Sequence, residues 1–517
     1  MALPRISERS RLATLFLLAI ILTSGIFLRS YNITLRPLHN DEGVNYYFIK
    51  KVRNLGYYPY SHENYHGPAY FYLTRALMDF YNAFLAASPP ERADAVKPEF
   101  NKLDPRRDSE LSLRLSSIVV GSLLPLLFLL LLSRYPPGRI IAGMMLVTFS
   151  PSAVFYSRYA IHETLLVFSV LWCGLSLYLW IAEKRSGWLY SAAGGFALAV
   201  TTKETFIISA AVLILSLIFS TGPVRFIRLY LKSRQDIYKA LILAVIIVFL
   251  VFSGFFQWPG GLREMLLAVP QWIARNDSDY GHHKPVWYYS KVIWKTEPWL
   301  LLVGLAPLFI TAKALIMRER GVKFRHADRL LLYFTLWTFL SWIIYSFIKY
   351  KTPWLIINIT VPANFLLGLL ITDFFKSMRT LAPLLCLFVV VEFYFCNWYN
   401  FKFPYGDQNP FSYVHTSKGM LTLVKRIDDY RVKNPAARIL VGVKQYWPLP
   451  FYLRGRSRNV AYAASDDFKS NRNMYEILIM DKKVVVDDPE FERIYLRLSD
   501  VQEAQVYFKK LPSFQSP

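Results

Sequence analysis

Cysteine is scarce in this chain. Only Cys173, Cys386 and Cys396 occur among its 517 residues, and each lies inside an apolar stretch. Cys386 and Cys396 are ten residues apart, so on one helix they would be roughly 15 Å apart, too far to form a disulfide bond. The sequence therefore indicates no disulfide framework.

Acidic residues and phosphate-binding motifs are also few. The chain has 36 Asp and Glu against 60 Lys and Arg. It contains no glycine-rich phosphate loop, a motif typical of nucleotide-binding enzymes. Ionisable residues are scarce at the centres of the apolar stretches, and this disfavours a transporter, whose site would lie near the membrane midplane.

Long hydrophobic runs are abundant instead. Hydrophobic residues make up 54% of the chain, and about 20 consecutive apolar residues suffice to cross a bilayer. We therefore predict a polytopic α-helical membrane protein with about eleven spans, near 12–29, 111–133, 139–157, 163–182, 187–202, 204–220, 237–256, 298–316, 329–348, 353–374 and 380–398.

The distribution of positive charge predicts the topology. The first span follows three arginines and lacks a cleavage site, so we expect a retained anchor with its N-terminus in the cytoplasm. In that register the cytoplasmic segments carry 18 basic residues against five acidic ones, as the positive-inside rule requires. The net charge of +24 therefore reflects membrane topology, and we expect no nucleic-acid partner.

Two regions outside the membrane should be structured. We predict a membrane domain over 1–400, with a first extracytoplasmic loop over 30–110 that contains helices near 43–52 and 69–84. Residues 401–517 should form a small extracytoplasmic α/β domain. Its predicted elements are a helix over 418–434 and strands over 438–443, 459–463, 475–480 and 483–486, in a partly parallel sheet.

Charged residues collect in the predicted outer turns. Asp41 and Glu42 lie in the first loop, and adjacent residues point in different directions, so a shared-proton pair is not expected. Cations in short outer turns run against the positive-inside rule. Either they hold an anionic group such as a lipid phosphate, or they are long side chains that snorkel at helix ends. The charged and titratable residues of these short turns are Arg158, His162, Glu163, Lys203, Glu204, Lys349 and Lys351.

The stretch "YSHENYHGP", Tyr60 to Pro68, contains the H-E-x-x-H spacing of zinc metalloproteases. That motif requires a helix with apolar flanks, but Gly67-Pro68 follows at once and leaves no room for it. A divalent metal held by His39, His62 or His66 with a carboxylate is an open alternative, and so is a loop whose His66 and Tyr65 contact substrate.

Several motifs together resemble a known superfamily. They are "NDEG", "YHGPAYFYLTRAL", "SPSAVFYSRYAIHE", "TTKETF", "YKTPW" and "QYWPLPFYLR", from about residue 36 to 456. Their order is similar to that in the multi-spanning (GT-C) glycosyltransferases, which include dolichyl-phosphate-mannose protein mannosyltransferases and lipid A aminoarabinose transferases. The nearest resemblance is to bacterial and archaeal membrane proteins labelled "flippase activity-associated".

The resemblance implies a function and roles for residues. Such an enzyme would transfer a sugar from a polyprenyl-phosphate donor to an acceptor (a protein, lipid or glycan) at the extracytoplasmic face of the cell membrane. Asp41 would be the catalytic base and Glu42 its support. Arg158, Lys203 and Lys351 would stabilise the departing phosphate, with His162, Glu163 and Glu204 nearby. The alternative is a non-catalytic partner in lipid-linked sugar export, whose pocket only binds the lipid phosphate.

Overall fold

Helices make up most of the chain up to residue 402. The computed structural model describes residues 8–64, 66–87, 108–277, 282–319, 326–375, 378–454, 459–463 and 474–511. The helices are α1 (Glu8–Ser30), α2 (Asn40–Leu55), α3 (Ala69–Ala87), α4 (Glu110–Leu123), α5 (Pro137–Phe149), α6 (Pro151–Ser157), α7 (Glu163–Glu183), α8 (Gly187–Thr202), α9 (Phe206–Thr221), α10 (Pro223–Phe252), α11 (Gly260–Asp277), α12 (Tyr288–Thr296), α13 (Ala306–Glu319), α14 (His326–Phe347), α15 (Ile357–Phe374) and α16 (Met378–Asn397).

Several helices are extended by tighter or wider turns. A 3₁₀ segment, Leu124–Ser133, continues α4. Two others, Pro298–Leu305 and Pro353–Ile356, lead into α13 and α15, and a π segment, Trp398–Lys402, continues α16. These extensions lengthen the apolar helices enough to cross a bilayer.

The described residues contain eight helical segments long and apolar enough to span a membrane, or nine if the bent pair of α5 and α6 is one span. The predicted multi-pass character is confirmed, but the count of eleven is not. The difference lies in α8 and α9, which have 16 residues each. At 1.5 Å per residue such a helix is about 24 Å long, shorter than the roughly 30 Å hydrocarbon core.

Helix α15 lies at the centre of the bundle. Every residue from Ile357 to Ile371 is buried, in keeping with a sequence that is apolar on all sides. It crosses α5 closely, because a Cβ atom on Gly368 would lie only 2.5 Å from the Cα atom of Gly143. Only a residue without a side chain permits the two backbones to approach this far.

The first loop is structured, as predicted. Its two helices are α2 and α3, which are each slightly longer than the sequence suggested and pack against one another. Their shared apolar cluster includes Ile49, Val52 and Phe71, all nearly fully buried. Residues 88–107, which follow α3 in this loop, lie outside the described residues.

The C-terminal region is an α/β unit with a mixed sheet, also as predicted. Helix α17 (Lys418–Lys433) precedes strand β1 (Ile439–Gly442); the short helix α18 (Leu449–Tyr452) and strands β2 (Val460–Tyr462), β3 (Ile477–Asp481), β4 (Phe491–Arg497) and β5 (Glu503–Lys509) follow. The strand order is β2-β1-β3-β5-β4. Strand β1 pairs parallel with β2 and β3, and β5 pairs antiparallel with β3 and β4.

The strand prediction for residues 483–486 was wrong. This segment is a turn and a loop, in which the Val486 amide donates to the Tyr507 hydroxyl at 3.0 Å and not to a neighbouring strand. The last two strands were missed. Strand β4 is a half-exposed edge strand rich in charged residues, a composition that lowers the apparent strand propensity of a segment that nevertheless pairs.

Helix α18 joins the C-terminal unit to the first loop. The Tyr452 hydroxyl accepts from the Leu38 amide and donates to a Glu110 carboxylate oxygen, both at 2.8 Å. A Cβ atom on Gly43 would lie 2.8 Å from Pro448, so the residue that precedes α18 rests directly on α2. The aromatic "QYWPLPFYLR" segment thus packs on the first loop.

The close crossing of α5 and α15 predicts a large difference between two glycine substitutions. Gly368→Ala should destabilise the protein by about 1–3 kcal/mol, because the added methyl group would push two packed backbones apart. Gly304→Ala is the control, since a methyl group added at Gly304 would have no atom within 4 Å. Thermal unfolding of the purified variants in detergent measures both, and equal melting temperatures would contradict the close crossing.

Candidate functional site

The adjacent acids Asp41 and Glu42 lie in the first turn of α2, where a helix dipole favours negative charge. His39 caps this helix: its Nδ1 accepts from the Asp41 amide at 3.1 Å, and its own amide donates to Glu42 Oε2 at 2.8 Å. The two carboxylates diverge. Glu42 is fully buried, whereas the Asp41 side chain is 41% exposed, so only Asp41 is accessible to a substrate.

Glu42 is bound by a buried arginine. Arg114 Nε and Nη2 each donate to one Glu42 oxygen at 2.7 Å, and the Ala160 amide donates to Oε1 at 2.9 Å. Burial alone would raise the pKa of Glu42, but the charge and hydrogen bonds of Arg114 outweigh it and hold that pKa below its ordinary value. Glu42 is therefore an ionised, buried anchor that positions the turn.

Arg114 also holds the chain that leads into α2. It donates to the Ile33 carbonyl at 2.6 Å and to the carbonyls of Arg36 and Pro37 at 3.2 and 3.3 Å. A buried guanidinium with five donors can satisfy a carboxylate and several carbonyls at once. One side chain of α4 thereby fixes both the segment before Asp41 and the carboxylate after it.

Asp41 faces residues from distant parts of the chain. His39 Nε2 donates to the Tyr413 carbonyl at 2.8 Å, which brings the segment after the last span beside α2. Burial and the negative charge of Asp41 raise the pKa of Tyr413. The Tyr413 hydroxyl is 3.1 Å from His282 Nδ1, and the Lys284 ammonium lies 5.6 Å from the Tyr413 ring centroid.

Lys351 belongs to this neighbourhood. It is almost fully buried, its amide donates to the His282 carbonyl at 2.9 Å, and its ammonium donates to the carbonyls of Lys284, at 3.0 Å, and Ile348. Burial lowers the pKa of Lys351. Since an ammonium has three donors and two are used here, one remains for an anion.

Arg158 has a different role. Its Nη1 donates to the carbonyls of Leu28 and Tyr31 at 3.0 and 2.7 Å, and its Nη2 donates to that of Asn32 at 3.0 Å. These carbonyls end α1, where a cation is favoured. Burial, followed by the charges of Arg36 and Arg114, lowers the pKa of Arg158 to about 9. Arg158 thus ties the end of α1 to the turn before α7.

The other predicted residues form a second group. His66 donates its backbone amide to Glu204 Oε1, and its Nδ1 lies 3.2 Å from Oε2. Lys203 pairs with Glu163, and the ring centroid of His162 lies 4.7 Å from that of His66. The structure therefore brings the turn before α7, the turn after α8 and the "YHGP" loop together. Tyr65 lies outside the described residues.

The charges of the second group are strongly coupled. Burial would raise the pKa of Glu204, but the charge and hydrogen bond of His66 outweigh it and lower that pKa to about 2. Burial, with the charges of His66 and Lys203, lowers the pKa of His162 well below its ordinary value. His162 is therefore a neutral imidazole at physiological pH, and within the described residues its buried Nε2 has no hydrogen-bond partner.

Gly67 explains how the "YHGP" loop reaches this group. Its amide donates to the Thr202 carbonyl at 3.0 Å, and a Cβ atom on Gly67 would lie 2.1 Å from the Thr201 carbonyl oxygen. Only glycine fits between the loop and the end of α8. The same packing fixes His66 next to Glu204.

The zinc-protease spacing is not helical. Residues His62–Asn64 form one 3₁₀ turn, and His66 has a φ of 55°, so the two histidines do not share a helix face. His62 Nδ1 lies 2.5 Å from Glu264 Oε2 in α11. His39, His62 and His66 thus have separate partners. Among the described residues no group of three or more His, Cys, Asp or Glu could hold a metal ion.

Two buried arginines that hold the segment around Asp41 were missed by sequence reasoning. Arg114 was detectable, since it is the only charged residue in the apolar stretch 111–133. Arg36 lies outside any apolar stretch, so no comparable sequence signal pointed to it. Its guanidinium lies 4.0 Å from the Tyr159 ring centroid, and its Nη2 donates to the Arg158 carbonyl at 2.7 Å. Arg36 thereby joins the segment before Asp41 to the turn before α7.

Comparisons with known proteins agree with the motif resemblance. The family model for dolichyl-phosphate-mannose-protein mannosyltransferases matches residues 97–260. No sequence match to a curated protein was found.

Two solved structures share the fold. One is ArnT from Cupriavidus metallidurans bound to undecaprenyl phosphate, with 13% identity, a TM-score of 0.57 and coverage of 98% of this chain and 99% of that chain. The other is the same protein in the apo state, with 12% identity, a TM-score of 0.59 and coverage of 97% and 98%. The predicted resemblance to the multi-spanning GT-C glycosyltransferase superfamily is confirmed.

The Glu42–Arg114 pair predicts a large stability loss on removal of one partner. Glu42→Gln should lower the free energy of unfolding by about 3–5 kcal/mol, because it removes the hydrogen-bonded counter-charge of the buried Arg114 guanidinium and leaves only Glu110 Oε2, at 3.7 Å. Glu63→Gln, at an exposed position of the same loop, should change it by less than about 0.5 kcal/mol. Unfolding in detergent measures both variants, and a loss below about 1 kcal/mol for Glu42→Gln would refute the anchoring role.

The same pair predicts how stability depends on pH. Because the folded-state pKa of Glu42 is depressed, its contribution is complete at neutral pH and is lost as the pH falls below about 4.3, the ordinary value for glutamate. The difference in melting temperature between wild type and Glu42→Gln should therefore shrink on acidification. A difference that stays constant from pH 7 to pH 3 would show that the carboxylate charge does not contribute.

Proposed function

We propose that this protein is an integral-membrane glycosyltransferase that moves a hexosyl or pentosyl group from a polyprenyl-phosphate donor to an acceptor hydroxyl. The observation that carries the proposal is the divergence of the acid pair: Glu42 is buried on Arg114, while Asp41 is exposed beside Tyr413. The mannosyltransferase family match and the ArnT-like fold support it. One ArnT structure was solved with undecaprenyl phosphate bound, which favours a donor of that lipid class.

The proposed reaction is a single displacement. Asp41 accepts the proton of the acceptor hydroxyl as its oxygen forms a bond to the anomeric carbon of the sugar. The bond between that carbon and the phosphate oxygen breaks, and its electron pair leaves with the lipid phosphate. Because attack and departure occur on opposite faces of the carbon, the anomeric configuration is inverted.

Cations near the site would stabilise the departing phosphate. Lys351 is our first candidate, since one of its ammonium donors is not used by the two carbonyls it contacts. Lys203 keeps donors beyond its bond to Glu163. Arg158, by contrast, is committed to the end of α1, and we assign it a positioning role.

We propose that the second group binds the substrate. Glu204 and Glu163 hold His66 and Lys203 in fixed orientations, and the His66 side chain is 35% exposed. His66 could therefore donate to a sugar hydroxyl or a phosphate oxygen, while His162, Glu163 and Glu204 keep it in position. Tyr65, the residue before His66, remains a proposed contact from its position in the motif.

We further propose that the site faces the extracytoplasmic side. The asymmetry of basic residues between the loops supports this orientation, and a lipid-linked donor makes sense there because no nucleotide sugar is available. In this arrangement residues 1–400 form the membrane domain and 401–517 an extracytoplasmic domain at the cell membrane. The acceptor would be a protein, a lipid or a glycan.

Asp41→Asn tests the proposal. Transfer of radiolabelled sugar from a polyprenyl-phosphate donor by the purified protein should fall by about 10²–10⁴-fold, the usual contribution of a general base. Asp487→Asn, at an exposed acid remote in sequence, should transfer normally. Donor binding should persist in Asp41→Asn, since Asp41 is not assigned to the phosphate.

Two other outcomes would contradict the proposal. Undiminished transfer by Asp41→Asn would remove Asp41 from the reaction. Binding of the donor by the wild type with no transfer to any acceptor extract would favour a non-catalytic partner in lipid-linked sugar export.

A further inference from the structure

Two carboxylates lie fully buried in the membrane part and have no role in the proposed reaction. Glu297 directly precedes the span that begins at Pro298, and Glu392 lies in α16. They are neighbours: Trp299 Nε1 donates to Glu392 Oε1 at 3.1 Å, and the charge of Glu297 acts on Glu392. Two adjacent buried carboxylates cannot both carry an uncompensated charge, so the pair requires a compensating species.

Glu297 already accepts several hydrogen bonds, two of them from residues at a helix break. Its oxygens accept from the Ser152 amide and the Ser150 hydroxyl at 3.0 Å each, and from Asn364 Nδ2 at 2.9 Å. Ser150 and Ser152 lie at the 59° bend between α5 and α6. Glu297 thus satisfies polar groups that the break exposes inside the membrane.

In the part of the chain that the structure describes, other buried oxygens around Glu297 lack hydrogen-bond donors. Within the described residues, Glu392 Oε2 and the side-chain carbonyl oxygens of Asn364 and Asn400 are buried and have no hydrogen-bond partner. All three residues are at most 2% exposed. Asn400 Nδ2 donates to the carbonyls of Pro151 and Cys396 at 3.3 and 3.0 Å, so this side chain lies between the helix break and the turn of α16 after Glu392.

One proton cannot satisfy three buried acceptors that have no donors. A proton shared between two carboxylates satisfies one acceptor, whereas a hard cation coordinates several oxygens at once. Two buried guanidiniums, Arg29 and Arg158, act on nearby Cys396 together with both glutamates. Their positive charge opposes a doubly charged ion and favours a monovalent one.

We propose that Glu297, Glu392, Asn364 and Asn400 form a sodium-binding site inside the membrane domain. The ion would connect the break between α5 and α6 to α15 and α16, and would thereby stabilise the bundle. This inference does not depend on the transferase activity. It rests on the unpaired oxygens and on the absence, within the described residues, of an ion-pair partner for either carboxylate.

Thermal unfolding of the full-length protein tests the site. Wild type in detergent is melted at rising NaCl concentration, with choline chloride keeping the ionic strength constant. The melting temperature should rise with sodium and saturate, as for any ligand that binds only the folded state. Glu392→Gln should abolish this dependence, whereas Asp407→Asn, an exposed acid near α16, should retain it.

The other outcomes each overturn the proposal. Equal melting temperatures in sodium and choline would exclude a sodium site, and the wild-type titration decides this even where Glu392→Gln fails to fold. A sodium-independent rise on acidification would identify a proton as the occupant, and a larger shift with calcium would identify a divalent ion. Asn400→Leu provides the second variant: its half-saturation should move to at least about tenfold higher sodium, because losing a ligand should cost at least as much as the roughly tenfold loss usual for an outer-shell partner.

Discussion

The fully buried bond between Glu42 and Arg114 is the interaction on which the proposed site depends. It joins α4 to the first turn of α2, to the carbonyls that precede that turn and, through the Ala160 amide, to the turn before α7. Burying a charge is costly unless it is paired and hydrogen-bonded, and here the Arg114 guanidinium and the amides of His39 and Ala160 all donate to one carboxylate. Because adjacent side chains on a helix diverge, fixing Glu42 inward also fixes Asp41 outward.

The cations of the predicted outer turns are likewise held by contacts within the protein. Each forms specific contacts within the protein: Arg158 with the carbonyls that end α1, Lys203 with Glu163, and Lys351 with two backbone carbonyls. These contacts explain how positive residues are accommodated in turns where the predicted topology would disfavour them. They also distinguish the cations by role. An ammonium retains donors for an anion after it has bound the protein, whereas the two terminal nitrogens of Arg158 already donate to backbone carbonyls.

Sequence reasoning predicted the fold class, the helices of the first loop and the mixed sheet, because periodicity and composition are local signals. Its count of eleven spans is not confirmed among the described residues, since α8 and α9 have 16 residues each and are shorter than a bilayer-spanning helix requires. It identified Asp41, Glu42 and the charged turns from motifs, but not the difference between the two acids, because burial is set by a partner 72 residues away. Arg36 and the buried cluster around Glu392 depend on tertiary packing alone, which no spacing in the sequence encodes.

The central claim is that Glu42 acts on the reaction only by positioning Asp41. A double-mutant cycle on kcat/KM for sugar transfer tests it, using Asp41→Asn, Glu42→Gln and the combined variant, each confirmed as folded by its melting curve. The account predicts that Glu42→Gln reduces transfer strongly in wild type and has almost no further effect once Asp41 is replaced by Asn. Losses that multiply in the combined variant would mean that the two acids act independently, and would contradict the account.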